Sequence, residues 1–374
     1  MRKIIRKMLE TLLVLVGLSV MGIALFMNLS PQFGGKATET QLQEFGKSRN
    51  YKEGKFINLG NVKLEMSGGD MLKAIGGMFK SIPNTTPKQP VSIQKIDSVD
   101  IADYNSATRF IWFGHSAFLV QVNGKNILID PMLGDVPAPH PWLGGKRFSR
   151  EIPIAIEKLP KIDAVLISHD HYDHLDYGSI EKIKNKVGHF YTPLGLGNHL
   201  MKWGIPKERI TELDWWQNAE LDDLTFTSTP AQHFSGRRLF DRDKTLWCSW
   251  VIQSPTENVF FSGDSGYAPH FKEIGEKFGS FDFAMMECGQ YNELWPEVHM
   301  FPEQTAQAGL DLNAKKIMPI HWGAFKLAQH TWTDPVERVS KKAKELNIDL
   351  ITPKIGEAFT VSDTVTQNTD WWEK

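Results

Sequence analysis

The chain is predicted to fold as a mixed α/β domain of about 250 residues held behind an N-terminal apolar segment. Three features point there. Short apolar runs alternate with helical stretches from about residue 108 onward. Seventeen uncharged residues, Thr11 to Met27, follow a basic start. Histidines and aspartates gather where the predicted strands end. At 374 residues the chain exceeds a single ordinary domain, so a large domain with additions is expected. A formal net charge of −2 excludes a nucleic-acid-coating protein, which would carry a basic excess. With 22 Phe and 12 Trp the chain can fill a sizeable core. Two cysteines, Cys248 and Cys288, are too few for a disulfide scaffold or a Cys-rich zinc module, and read as buried free thiols.

Arg2, Lys3, Arg6 and Lys7 precede the apolar run, which as a helix would extend about 24 Å. That suits a short membrane span with snorkelling ends. The basic flank keeps residues 1–10 inside and sends the remainder to the extracytoplasmic (periplasmic) side. No Ala-x-Ala site follows, so an uncleaved anchor over residues 1–30 is favoured over a cleaved signal peptide.

Residues 31–105 read as a linker and irregular extension, rich in Gly, Pro, Lys and Asn. Within it Met71, Leu72, Ile75, Met78 and Phe79 recur at helical spacing. They suit a cap helix on the main domain slightly better than a lipid-facing one. Residues 106–361 form the predicted catalytic domain. Its expected strands are Phe118–Val122, Asn126–Ile129, Ala164–Ile167, Leu224–Thr227, Trp247–Ile252, Val259–Phe261, Phe281–Met286 and Lys316–Ile320. Helices are expected through Ile180, Ile183 and Val187, around Glu303–Leu310, and over Pro335–Leu346. Residues 362–374 read as a loose polar tail, apart from Trp371 and Trp372. Trp215, Trp216, Trp295 and Trp332 fit either the core or a membrane interface.

The run Ser168-His169-Asp170-His171-Tyr172-Asp173-His174 follows a predicted strand. In extended backbone His169 and His171 point the same way and can reach one ion. Asp173 and His174 can address a second, and Asp176 then reads as the N-cap of the next helix. A single His-x-His is common on protein surfaces; four potential ligands within six residues are not. His233, Asp264 and His321 each stand where a later strand ends. Alone, each would be an ordinary buried polar residue. Together they complete two sets: His169, His171 and His233 for one ion, and Asp173, His174 and His321 for the other, with Asp264 between. Imidazole-rich ligation favours zinc, two Zn2+ per chain, while iron or manganese fits the same shell. His115 and Asp130 read as residues that orient ligands.

His-x-His-x-Asp-His followed by later His, Asp and His resembles the metallo-β-lactamase superfamily, over about residues 108–360. The resemblance implies an αββα sandwich with a dinuclear site at one edge. Class B β-lactamases are less similar, since they usually place a Cys where Asp264 stands. The words Trp112-Phe113-Gly114-His115-Ser116, Ile129-Asp130-Pro131, Trp247-Cys248-Ser249-Trp250, Ser262-Gly263-Asp264-Ser265-Gly266-Tyr267 and Ile320-His321-Trp322-Gly323 narrow the match. They resemble N-acylphosphatidylethanolamine-hydrolysing phospholipase D and its bacterial relatives. His299 lies in a stretch, Val298 to Glu303, that the resemblance places near the substrate entrance. Glu287-Cys288-Gly289-Gln290-Tyr291 departs from the family pattern, making Glu287 and Tyr291 candidates for substrate preference.

The resemblance implies a phospholipase D-type phosphodiesterase acting on N-acylphosphatidylethanolamine-like lipids and releasing N-acylethanolamine and phosphatidate. Asp264 would be the catalytic carboxylate, acting with hydroxide held between the ions. The expected partners are a phospholipid substrate and a membrane; a homodimer is left open. Two rivals stand beside this reading: a lactonase or ester hydrolase on the same scaffold, and a membrane-tethered binding protein without turnover.

Overall fold

The computed structural model describes residues 2–62, 82–362 and 370–373, with the isolated positions 69, 72, 73 and 76. Apart from a small hairpin, β1 (Tyr51–Lys52) and β2 (Lys55–Phe56), its strands form two seven-stranded sheets. The first contains β3 (Arg109–Trp112), β4 (Phe118–Val122), β5 (Lys125–Ile129), β6 (Ile162–Leu166), β7 (Val187–Pro193) and β8 (Ile210–Leu213) in chain order. β16 (Ala358–Thr360) closes its β3 edge. The second runs β15 (Asp349–Leu350), β14 (Lys316–Ile320), β13 (Phe283–Glu287), β12 (Asn258–Phe261), β11 (Ser249–Gln253), β10 (Leu224–Thr229) and β9 (Asn218–Leu221).

Side-chain alternation decides how these sheets stack, because successive residues of a strand face opposite ways. Phe110 and Trp112 of β3 enter one core with Phe118, Ile127 and Leu166 of their own sheet and Phe226, Trp250, Phe261, Met285 and Ile320 of the other. Ile111, Leu119, Leu128 and Val165 point outward and meet Ile180 and Ile183 of helix Tyr177–Ile183 and Leu200 of helix Gly197–Lys202. On the far side Val251, Phe260, Ala284 and Ile317 meet Phe271 and Ile274 of helix His270–Phe278 and Ala308 of helix Pro302–Asp311. Helix Asp334–Leu346 completes that layer through Val339 and Ala306. The result is the αββα sandwich, and strands apolar on both faces, such as β13, are those covered on both faces.

Strand directions place the site. β3, β5 and β6 run parallel to one another, as the pairing of β3–β4, β4–β5 and β5–β6 requires. β10, β12, β13 and β14 likewise share one direction. The C-terminal ends of each set therefore lie along one edge of its sheet.

Phe118–Val122 and Lys316–Ile320 form as expected, and Asp176 caps its helix by accepting from the Gly178 and Ser179 amides. Val187 does not extend that helix; it opens β7, because the helix ends at Ile183 and the chain turns back to pair with β6. Helix Arg2–Leu29 is longer than the apolar run alone suggested, about 42 Å. It buries no side chain and is long and apolar enough to cross a membrane.

Two expectations need correction. Residues 31–62 are not a free linker, since Phe33, Phe45 and Phe56 are buried against the domain. The tail is not loose at its end: Trp371 and Trp372 are buried, with Trp371 stacked 5.4 Å from Trp322 and its indole donating to the Thr352 carbonyl. The predicted helix through Met71, Ile75, Met78 and Phe79 lies outside the described residues, Leu72 excepted. The indole area that Trp371 removes from water holds the terminus in place. Trp371→Ala is expected to cost about 3–5 kcal/mol of stability, read by chemical denaturation; a change within about 0.5 kcal/mol would mean the tail is peripheral.

Candidate metal centre

Seven side chains converge where the two sets of strand ends meet. The loop after β6 delivers His169, His171, Asp173 and His174; His233 follows β10, Asp264 follows β12 and His321 follows β14. One group comprises His169, His171, His233 and Asp264, and another Asp173, His174 and His321 with His115; within each, one ligand atom per residue lies within 4.8 Å of the others. His169 Nε2 is 3.0 Å and His233 Nε2 3.2 Å from His171 Nδ1. Imidazoles bound tetrahedrally at 2.0–2.1 Å would stand about 3.3 Å apart. Asp264 lies between the groups. Its Oδ2 is 3.7 Å from both His169 Nε2 and His233 Nε2, while its Oδ1 is 3.2 Å from His174 Nε2 and 3.1 Å from His321 Nδ1.

The backbone is bent to make this meeting possible. His115 (φ 57°), Asp130 (φ 40°) and His321 (φ 66°) are all left-handed, a cost that a packed functional site can sustain. Gly263 (φ 57°) leads into Asp264, and a Cβ there would lie 2.9 Å from the Ser168 Cβ. Only glycine lets the Asp264 loop lie flat against the residue preceding His169.

Hydrogen bonds aim the rings. His174 Nδ1 donates to Asp130 Oδ2 at 2.7 Å, and Asp130 also accepts from the Ser168 amide and hydroxyl. His233 Nδ1 donates to the Val298 carbonyl at 3.1 Å, and His169 Nδ1 lies 2.9 Å from Ser168 Oγ. Each partner fixes the tautomer that turns Nε2 and its lone pair inward. His115 Nε2 reaches Asp173 Oδ2 at 2.9 Å, and its ring lies 4.1 Å from that of His321.

Electrostatics divide the cluster. Burial, reinforced by neighbouring imidazoles, keeps His169, His233 and His321 neutral, well below the ordinary histidine range. Burial also pushes His171 down to about 4. Neutral imidazole is the form that binds metal. Burial opposes charge on His174 as well, but Asp264, Asp173 and Asp130 surround it and raise it well above that range. Burial opposes charge on Asp173 too, yet His174 and His115 hold it well below the usual carboxylate range. Burial lifts Asp264 to about 6 despite His174. His174 Nε2 and Asp264 Oδ1 are buried without a hydrogen-bond partner. Such orphaned atoms, facing each other among neutral lone pairs, fit cations.

The remaining candidates separate. His299 stands over the cluster, stacked 5.1 Å from the His321 ring, with Nδ1 3.2 Å from Glu287 Oε1. Glu287 is fully buried and also accepts from the Met300 amide, so it acts through His299 rather than lining a surface. Burial keeps its carboxyl well above the usual range. Tyr291 turns elsewhere, its hydroxyl bonded to Asp334 and its ring stacked on His330. Sequence reading missed Asn58, which accepts from the His233 amide and donates to its carbonyl from 175 positions away. Its role left no local signal. It also passed over Asp170, which lies inside the quoted run and joins His199, Thr245 and the Gly236 amide.

A two-sheet sandwich with a His/Asp cluster at its strand ends defines a class of metal-dependent hydrolases. A family profile described as a β-lactamase superfamily domain matches residues 125–322. An uncharacterized protein of Mycobacterium tuberculosis is 36% identical over 330 residues, covering 87% of each chain. The N-acyl-phosphatidylethanolamine-hydrolyzing phospholipase D 1 of Caenorhabditis elegans is 30% identical over 288 residues, 72% of this chain and 80% of its own. Among solved structures, Igni18, a metallo hydrolase from the archaeon Ignicoccus hospitalis, aligns with TM-score 0.51 at 23% identity, covering 68% of this chain and 98% of its own. The chain belongs to the metallo-β-lactamase superfamily of metal-dependent hydrolases.

The Asp130–His174 bond gives a test. Asp130→Asn keeps the volume but weakens the hold on the His174 tautomer, and metal affinity should fall by about 10–100-fold. Competition with a chromophoric chelator reads this directly; unchanged affinity would show that His174 needs no such support.

Proposed function

We propose that this protein is a membrane-anchored phosphodiesterase of phospholipase D type, with two zinc ions and N-acylphosphatidylethanolamine-like lipids as substrates. The observation that carries the reading is Asp264, with one oxygen toward His169 and His233 and the other toward His174 and His321. His169, His171 and His233 would hold one ion, Asp173, His174 and His321 the other, and Asp264 both. Two such ions supply Lewis acidity and a water of lowered pKa.

The charge balance suits an anionic phosphodiester, although the ligand set alone does not choose between phosphorus and a lactone carbonyl. The ligand set contains two carboxylates among neutral imidazoles, so two dications leave an excess of positive charge that draws an anionic phosphodiester. The 30% identical worm enzyme, named for that lipid hydrolysis, supports the substrate class. Asp264 would draw the cations together, Asp130 and Val298 hold the histidines in their tautomers, and Glu287 holds His299 beside the site. The apolar helix Arg2–Leu29, with its basic start, supports an anchor with the domain on the extracytoplasmic side.

Purified full chain given detergent-dispersed N-acylphosphatidylethanolamine should release N-acylethanolamine and phosphatidate, followed by mass spectrometry. Lactone hydrolysis without phosphodiester cleavage would overturn the substrate class. Asp264→Asn and His233→Ala should each lose activity on the order of a hundredfold or more. Asp264→Asn should lower the occupancy of both ions, His233→Ala chiefly of one. Near-normal turnover of Asp264→Asn with both ions retained would contradict its bridging role.

A further inference from the structure

The segment joining the apolar helix to the domain is clamped rather than loose. Four successive carbonyls accept from domain side chains: Pro31 from the Trp203 indole, Gln32 from Arg237, and Phe33 and Gly34 from Arg238. Ser30 Oγ bonds His140 Nε2 at 2.9 Å, and the Phe26 ring, still on the helix, lies 5.0 Å from that of His140. Gly34 (φ 71°) lies so close to His199 that a Cβ would come within 2.0 Å of its Nδ1. The end of the helix therefore has a fixed position on the domain. Arg237 is 3% exposed and also donates to the Asp170 and Leu175 carbonyls, tying the same strap to the loop that carries His169 to His174.

Two loops flank this strap, and both present large apolar side chains to solvent. Residues 137–146 expose Trp142 (71%) and Leu143 (49%); residues 236–244 expose Leu239 (68%) and Phe240 (89%). Outside the helix, no other adjacent pair of large apolar residues is exposed among the described residues. Trp142 stacks on His140 and lies 6.4 Å from Phe26, so its loop continues the surface of the helix. The second loop starts beside the site, where the Phe234 ring lies 4.6 Å from that of His171 and 4.8 Å from that of His233.

We propose that Trp142–Leu143 and Leu239–Phe240 form a rim that enters the interfacial layer of the bilayer, seating the mouth of the metal centre against lipid. The proposal rests on reading the helix as a membrane anchor. The occupant is a lipid surface because the helix itself brings a bilayer to this place, and the clamp leaves the rim no freedom to move away from it. Tryptophan beside apolar side chains at the end of a span is the composition that interfacial anchoring selects.

The test uses the full chain in phosphatidylcholine vesicles whose acyl chains carry bromine, and it needs no turnover. Cys248 and Cys288 are buried, so a polarity-sensitive maleimide dye reports only on an introduced cysteine. Trp142→Cys, Phe240→Cys and, as an exposed reference on the outer helix Pro302–Asp311, Leu310→Cys are compared. Dyes at 142 and 240 are expected to shift to the blue and lose about half or more of their emission to brominated lipid, with the dye at 310 unchanged. If the vesicles float with the protein but the dyes at 142 and 240 behave like that at 310, the rim is overturned while the anchor stands. If the full chain does not float with vesicles, anchor and rim fail together. Neither result bears on the substrate class, which is decided by the products of hydrolysis.

Discussion

Five imidazoles and two carboxylates are packed together at the edge of this sandwich, with His171 and Asp173 partly open to solvent and the other five buried. Their mutual spacing cannot be satisfied from within. The neutral rings of His169, His171, His233 and His321 direct lone pairs at one another, and His174 Nε2 and Asp264 Oδ1, 3.2 Å apart, lack hydrogen-bond geometry. An orphaned buried polar atom costs about 1–3 kcal/mol, and carboxylates gathered in a desolvated pocket add repulsion. Cations held between them would turn each of these costs into a favourable contact, and the proposed chemistry requires the same cations. The left-handed residues at 115, 130 and 321 and the glycine at 263 are local backbone costs that deliver side chains to this one place.

The rest of the fold supplies rigidity to that arrangement. Each ligand-bearing loop leaves a strand buried on both faces, so its starting point is set by hydrogen-bonded neighbours and by core packing from two sides. The second layer of hydrogen bonds then settles ring orientation, through Asp130, Val298, Ser168 and Asn58. Trp322, next to His321, is wedged among Trp112, Trp371 and Trp372, which links the C-terminus to the site.

Much of this was legible in the sequence because it is local. The runs at 118–122 and 316–320 are bounded by turn residues and read as strands. His169, His171, Asp173 and His174 crowd one short loop, a density of ligand side chains that metal binding accounts for directly. What was not legible is long-range. The helix read through Val187 stops at Ile183 because pairing with β6 outweighs a weak helical spacing. Asn58 looks like any loop asparagine until the chain brings it to His233. Trp371 and Trp372 sit in a polar terminal stretch and reveal their role only through the tryptophans they meet. Glu287 stands at a strand end as expected, but its burial and its contact with His299 emerge only in the fold. Of the tryptophans, Trp215 is buried, with its indole donating to the Trp247 carbonyl, whereas Trp142 is the one left largely in solvent.

Two cations sharing Asp264 is the claim on which the functional account turns. Anomalous diffraction from crystals of the zinc-loaded protein, collected on both sides of the zinc absorption edge, tests it most directly. The account predicts two edge-dependent peaks flanking Asp264, one among His169, His171 and His233 and one among Asp173, His174 and His321. A single peak, or peaks that leave Asp264 without a metal contact, would contradict it.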